Sequence, residues 1–160
     1  MFCVPDLRER GFQGFRAIAG LAEVTEDLPI EPGVYVVVNV GDPNPRFLPT
    51  NPAGRFKGDD PSVPLDRLRE KWVRGAQTLY IGKADTLRQR IKQLLQFARG
   101  LPVGHWGGRF LWQVEGSSDF QVAWLEHKHP ERKEREFLTE FERCFGRLPF
   151  ANLRRGTRDP

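Results

Sequence analysis

The stretch PGVYVVV at 32–38 sets the tightest limit on what this chain can fold into. After the turn Glu31-Pro32-Gly33, five residues (Val34, Tyr35, Val36, Val37, Val38) follow without a charge or an amide side chain. A strand with one wet face alternates apolar and polar residues, whereas a continuous run is covered on both faces. Layers are therefore needed on two sides of that strand. TLYIG at 78–82 is a second short apolar strand and its natural pairing partner.

The rest of the pattern supplies those layers. LDRLREKWV at 65–73 spaces Leu65, Leu68 and Trp72 as one helix face, which Arg74-Gly75-Ala76 ends. Asp85 or Thr86 caps a further helix whose stripe is Leu87, Ile91, Leu94, Leu95 and Ala98. RFLWQV (109–114) and FQVAWL (120–125) read as two strands around the turn Gly116-Ser117-Ser118-Asp119. Pro130 opens a long helix with Phe137, Leu138, Phe141, Cys144 and Phe145 on its apolar side, and Gly146 stops it. The first thirty residues hold a short helix and a mixed segment to which no chemistry is assigned. Residues 41–64 form a proline-rich loop without periodicity, of a length that is often functional. The expectation is one α+β domain over 1–160, with a small, mostly antiparallel sheet flanked by helices.

Composition narrows the function classes only modestly. Lys+Arg number 25 against 21 Asp+Glu, a net charge of +4, which favours polyanionic partners weakly. Arginine dominates the cations, and its planar fork suits phosphate and carboxylate. Cys3 and Cys144 form neither a metal-ligand spacing nor a disulfide framework. The opening MFCVPDLRERGF lacks the pattern of a signal peptide, and no apolar run reaches the length of a membrane span. A soluble cytoplasmic protein without a membrane partner is the expectation.

Several residues stand out, although each alone has an ordinary explanation. Tyr35 and Tyr80 sit on the two pairing strands, where tyrosine packs well in any case. Lys83 alone is a solvated lysine. Arg90 lies on the edge of the buried stripe of its helix and points back toward the strand corner, or snorkels to a local carboxylate. Glu134 falls in the apolar register of the last helix with Phe137, Leu138 and Phe141, as a dipole-stabilising residue or as a metal ligand. Glu136 and Glu140 fall on the polar side. His127 and His129 flank Lys128 in a solvated turn, and a metal pair there is the lesser reading.

Taken in order, Gly33-Val34-Tyr35, Tyr80-Ile81-Gly82-Lys83, Leu87-Arg88-Gln89-Arg90, a helical glutamate and Pro149-Phe150-Ala151-Asn152 resemble the GIY-YIG nucleases over about 32–152. The resemblance implies a metal-dependent endonuclease, a phosphodiester hydrolase acting on DNA in preference to RNA. It implies Tyr35 as general base, with Tyr80 beside it, and Arg90 as the clamp on the scissile phosphate. Glu134 is then the ligand for one Mg²⁺ or Mn²⁺, with Glu136 as the fallback, and Asn152 is the late asparagine. Lys83, Arg90 and the cation are the groups expected to bring the Tyr35 phenol toward neutrality. Asn152, Arg154 and Arg155 are the residues expected to contact nucleic acid, the arginines through its backbone.

Two features depart from the family. Residues 41–77 insert a loop and a helix between the tyrosine motifs, and Leu94 stands where many members carry Tyr or His. Tyr80, or His105 from the following loop, is expected to cover that position. The rival expectation is a catalytically inactive nucleic-acid- or protein-binding module on the same scaffold.

Overall fold

The structure, a computed structural model, describes residues 1–154. Four antiparallel strands form one sheet in the order β1-β4-β2-β3, with β1 Gln13–Ala17, β2 Gly33–Val38, β3 Thr78–Ala84 and β4 Gln121–Glu126. The apolar run at 34–38 occupies the centre, where all six residues of β2 are buried. Tyr35 and Val37 project into the layer containing Leu87, Ile91 and Leu94 of α4 (Leu87–Ala98). Val34, Val36 and Val38 project the other way, onto Phe137, Leu138 and Phe141 of α5 (Pro130–Phe145) and Leu7 of α1 (Val4–Glu9). A four-residue helix α2 (Ile18–Leu21) follows β1, and α3 (Leu65–Lys71) precedes β3. Gly146 ends α5 in the left-handed conformation, φ +75°, that a side chain disfavours. Among the described residues no helix is long and apolar enough to cross a membrane.

Two expectations change. The segment 109–114 is no strand: a 3-10 stretch Trp106–Gln113 runs there. Phe110, Leu111, Trp112, Gln113 and Val114 are all buried, so the segment has no wet face to alternate with. It pairs with the proline-rich loop instead, through Leu48 N–H to Gln113 O (2.7 Å) and Glu115 N–H to Arg46 O (2.8 Å). The Gln113 amide then serves the loop on both sides, accepting from Val63 N–H at 2.8 Å and donating to the carbonyls of Val63 (2.8 Å) and Leu48 (2.9 Å). These bonds order the insertion. The second change is β1, which supplies the fourth strand from the segment left without an assignment.

α1 is tied to α5 by Arg10. Its guanidinium donates to both oxygens of Glu140 (2.6 and 2.8 Å) and, through Nε, to Asp6 (3.1 Å), and it lies over the Phe2 ring. The Arg10 hydrogen bonds hold the Glu140 carboxyl below its ordinary range. Burial pushes Asp6 up, but the Phe2 N–H and Arg10 outweigh it and leave it lowered. Lowered carboxylates stabilise the fold above their unfolded pKa, and that contribution is lost as pH falls through the folded values. Arg10→Met is expected to cost about 1–2 kcal/mol at neutral pH. The difference from wild type should hold down to about pH 4 and shrink below it in urea denaturation.

Candidate active site

Tyr35 and Gly82 face each other across β2 and β3, and Tyr80 lies two residues before Gly82 on the same face. Gly82 is what makes room for the phenol. A Cβ there would lie 2.6 Å from Tyr35 Cζ, 2.7 Å from its hydroxyl and 2.8 Å from Tyr80 Cε1. The two rings sit 5.9 Å apart at 45°. Gly82→Ala is accordingly expected to displace the Tyr35 ring and to cost about 1–3 kcal/mol by overpacking. A thermal melt and the tyrosine region of the near-ultraviolet circular dichroism report both effects.

α4 starts one turn before Arg90, whose guanidinium lies beside the Tyr35 phenol. Its Nη1 donates to Gly104 O at 2.6 Å and to Gln93 Oε1 at 3.0 Å. Residue 105 comes next in that same segment, and His105 Nε2 is 2.8 Å from the Tyr35 hydroxyl in a fully buried hydrogen bond. The imidazole lies 5.6 Å from the Tyr80 ring and 6.1 Å from the Tyr35 ring. His105 thus stands against the phenols where Leu94, buried in the α4 stripe, has no polar group to offer. Glu134 enters from the first turns of α5, buried, and its charge is felt at both phenols. Groups far apart in the chain, from β2, β3, α4, the 100–108 segment and α5, therefore share one locale.

The electrostatics of this arrangement run against an ionised phenol. Burial raises the Tyr35 pKa, and Arg90 with the neighbouring hydrogen bonds offsets that only in part. Burial also lifts Tyr80 well above its ordinary value. His105 is pushed down to about 3 by burial and then by the Arg90 charge. At neutral pH all three rings are uncharged. The expected drop of Tyr35 toward neutrality is reversed in this conformation because desolvation outweighs the cation.

Other expected residues fall elsewhere. Lys83 is opposite Val34 in register, so its side chain leaves the sheet on the face away from Tyr35. With Asp85, Thr86, Gln89, Arg90 and Gln93 it lines a polar pocket of about 220 Å³ at the corner of β3 and α4. Glu136, the fallback ligand, is exposed, unlike Glu134, and pairs with Lys133 (3.3 Å) and Arg132 (3.8 Å). Asn152 is 2% exposed. Its Oδ1 accepts from Ile81 N–H (2.9 Å) and its Nδ2 donates to Ile81 O (2.8 Å). The expected contact with nucleic acid gives way to a role in holding β3, since the amide is buried and bonded to both main-chain groups of Ile81. Arg154 is exposed, and Arg155 lies outside the described residues. His127 and His129 meet at a ring distance of 6.2 Å.

Among the described residues no group of three or more His, Cys, Asp or Glu could hold a metal ion. One buried carboxylate does not make an all-protein cage. It does fit Mg²⁺ or Mn²⁺ held through a single carboxylate, with water and a substrate phosphate completing the shell. Gln93 and Gly104, which fix Arg90, were not anticipated. Gln93 was findable at i+3 from Arg90 on one helix face, but a main-chain carbonyl leaves no mark on the side-chain pattern. No family model, curated protein or solved structure matches the chain.

Proposed function

We propose that this chain is a divalent-metal-dependent nuclease that hydrolyses phosphodiester bonds, with DNA as the preferred substrate. The observation that carries the reading is that Arg90 and Glu134, from two separate helices, both act electrostatically on the buried Tyr35 phenol of the central strand. The ordered motifs that resemble the GIY-YIG nucleases support the same reading.

In this proposal Arg90 faces the non-bridging oxygens of the scissile phosphate, where negative charge builds as water attacks. The Tyr35 oxygen accepts a proton from that water. The water oxygen forms the new P–O bond, the bond to the departing nucleoside oxygen breaks, and that oxygen takes a proton from solvent. Glu134 would hold the Mg²⁺ or Mn²⁺, which when bound supplies charge stabilisation at the phosphate and favours the phenolate. Moving a phenol from pKa 10 to neutrality takes about 4 kcal/mol, the scale that a cation and Arg90 can supply once desolvation is relieved.

The burial of the site favours a second reading, a binding module that keeps the scaffold without the chemistry. A plasmid-nicking assay with Mg²⁺ or Mn²⁺ separates the two. Metal-dependent cutting that is lost in Glu134→Ala supports the nuclease. Absence of cutting on duplex, single-stranded and branched DNA, together with steeply salt-dependent binding, establishes the module.

A further inference from the structure

The candidate site is closed. Tyr35 and His105 are 0% exposed and Tyr80 and Glu134 1%, so neither a phosphate nor bulk water reaches the phenol oxygens in this arrangement. Residues 100–108 contribute the cover. His105 lies against both phenol rings, and the backbone at Gly108 lies so close that a Cβ there would come within 2.9 Å of His105 Nδ1. Two consecutive residues thereby occupy both working groups. The Gly104 carbonyl takes the guanidinium of Arg90, and the His105 ring takes the hydroxyl of Tyr35.

Val103 and Trp106 pack the segment against the core, but its main chain makes no hydrogen bond to a strand among the described residues. Its N-terminal end is anchored by Leu101 N–H to Gln96 O (3.1 Å), and its C-terminal end runs into the buried stretch at Phe110. Between these anchors, the amides of Val103 and His105 bond to carbonyls only two residues back, both at 2.9 Å. Such tight-turn bonds travel with the segment and do not tie it to the sheet. Gly100, at φ +91°, and Gly107, where an added Cβ would meet nothing within 4 Å, lie near its two ends as points where the chain can turn.

Building on the nuclease reading, we infer that residues 100–108 are an autoinhibitory lid. Arg90 latches it shut through the Gly104 carbonyl, and a phosphate of the incoming nucleic acid opens it by taking over the guanidinium. The exchange is favourable because a phosphate offers the guanidinium an ionised partner and two oxygens for its fork, whereas the carbonyl is one neutral acceptor. The landing place is the polar pocket of which Arg90 is a wall, with Lys83 as a second cation and Asp85 as the opposing charge on its lining. Opening exposes the Tyr35 hydroxyl, which the His105 ring covers in the closed state.

Hydrogen exchange of the full chain, followed by mass spectrometry, tests the lid directly. A short DNA duplex added without divalent metal, with binding confirmed by anisotropy, should speed exchange of the amides of 103–108 by about tenfold. Arg90→Lys, which keeps the charge but loses the fork, should speed the same amides without DNA. His105→Ala should nick plasmid faster than wild type, by about threefold or more, whereas a proton-accepting histidine predicts a loss of about a hundredfold. The lid is overturned if bound DNA leaves that exchange unchanged or slows it, if the duplex does not bind, or if His105→Ala loses nicking. Should His105→Ala fold poorly, the exchange of Arg90→Lys decides. Wild-type cutting with no change in exchange refutes the lid and leaves the nuclease. DNA-induced opening with no cutting by any variant refutes the nuclease and keeps the lid as the gate of an anion site.

Discussion

Tyr35→Phe is expected to lower metal-dependent nicking by about 10²–10⁴-fold while the protein stays folded. The substitution removes one oxygen and keeps the ring that packs on Tyr80 and fills the space above Gly82. Its structural cost is the hydrogen bond to His105 Nε2, about 1–3 kcal/mol if the imidazole nitrogen stays buried and unpaired. That loss weakens the closed lid and so works against the expected drop, which makes a large loss of activity hard to explain by anything but the missing proton acceptor. Arg90→Ala should fall by about 10²–10³-fold through the lost charge at the phosphate. The wild-type profile should rise with pH, since the acceptor must shed its own proton first. Nicking by Tyr35→Phe within about tenfold of wild type would remove Tyr35 from the chemistry, whatever became of Glu134.

The parts of this arrangement that could be read in advance are those written in side-chain periodicity. The unbroken run at 34–38 demanded a central strand covered on both faces, and β2 is that strand. The α4 stripe and the α5 register placed Arg90 at a margin and Glu134 inside, because helical spacing fixes which side chains share a face. Burial and exposure then separated Glu134 from Glu136, two residues apart and on different sides of α5. What stayed hidden depends on main chain or on distant partners. β1 turns a single residue, Phe15, into the core and is bulged between Gly14 and Arg16, so no alternation marks it. The stretch 109–114 has strand-like composition, yet the Gln113 amide bonded to Leu48 and Val63 commits it to the proline-rich loop. The cover over the phenols depends on the Gly104 carbonyl, which every residue type possesses. The direction of the Tyr35 pKa shift was misread for a related reason: the charges nearby were visible in the chain, but the depth of burial was not.

Asn152→Ala should destabilise the fold by about 2–4 kcal/mol, because the amide it removes satisfies both main-chain groups of Ile81. β3 is the outer strand of the sheet, and among the described residues its far side has no strand partner. Residues 149–152 stand in for one. Ala151 N–H bonds to Leu79 O at 2.9 Å, and the Asn152 side chain supplies a donor and an acceptor to Ile81, as a neighbouring strand would. Phe150 and Ala151 are buried beside it, so water has no easy path to the groups left behind. Asn152→Asp keeps one acceptor but turns a carboxylate oxygen toward the Ile81 carbonyl, and should be at least as damaging near neutral pH. For a chain of this size the loss corresponds to a fall in melting temperature of roughly 5–15 °C. Tyr80 and Gly82 flank Ile81, so nicking should fall with stability and recover in part on cooling. The opposite pattern, unchanged urea denaturation with weaker DNA binding, would return Asn152 to the nucleic-acid surface and leave the edge of β3 held by the main chain alone.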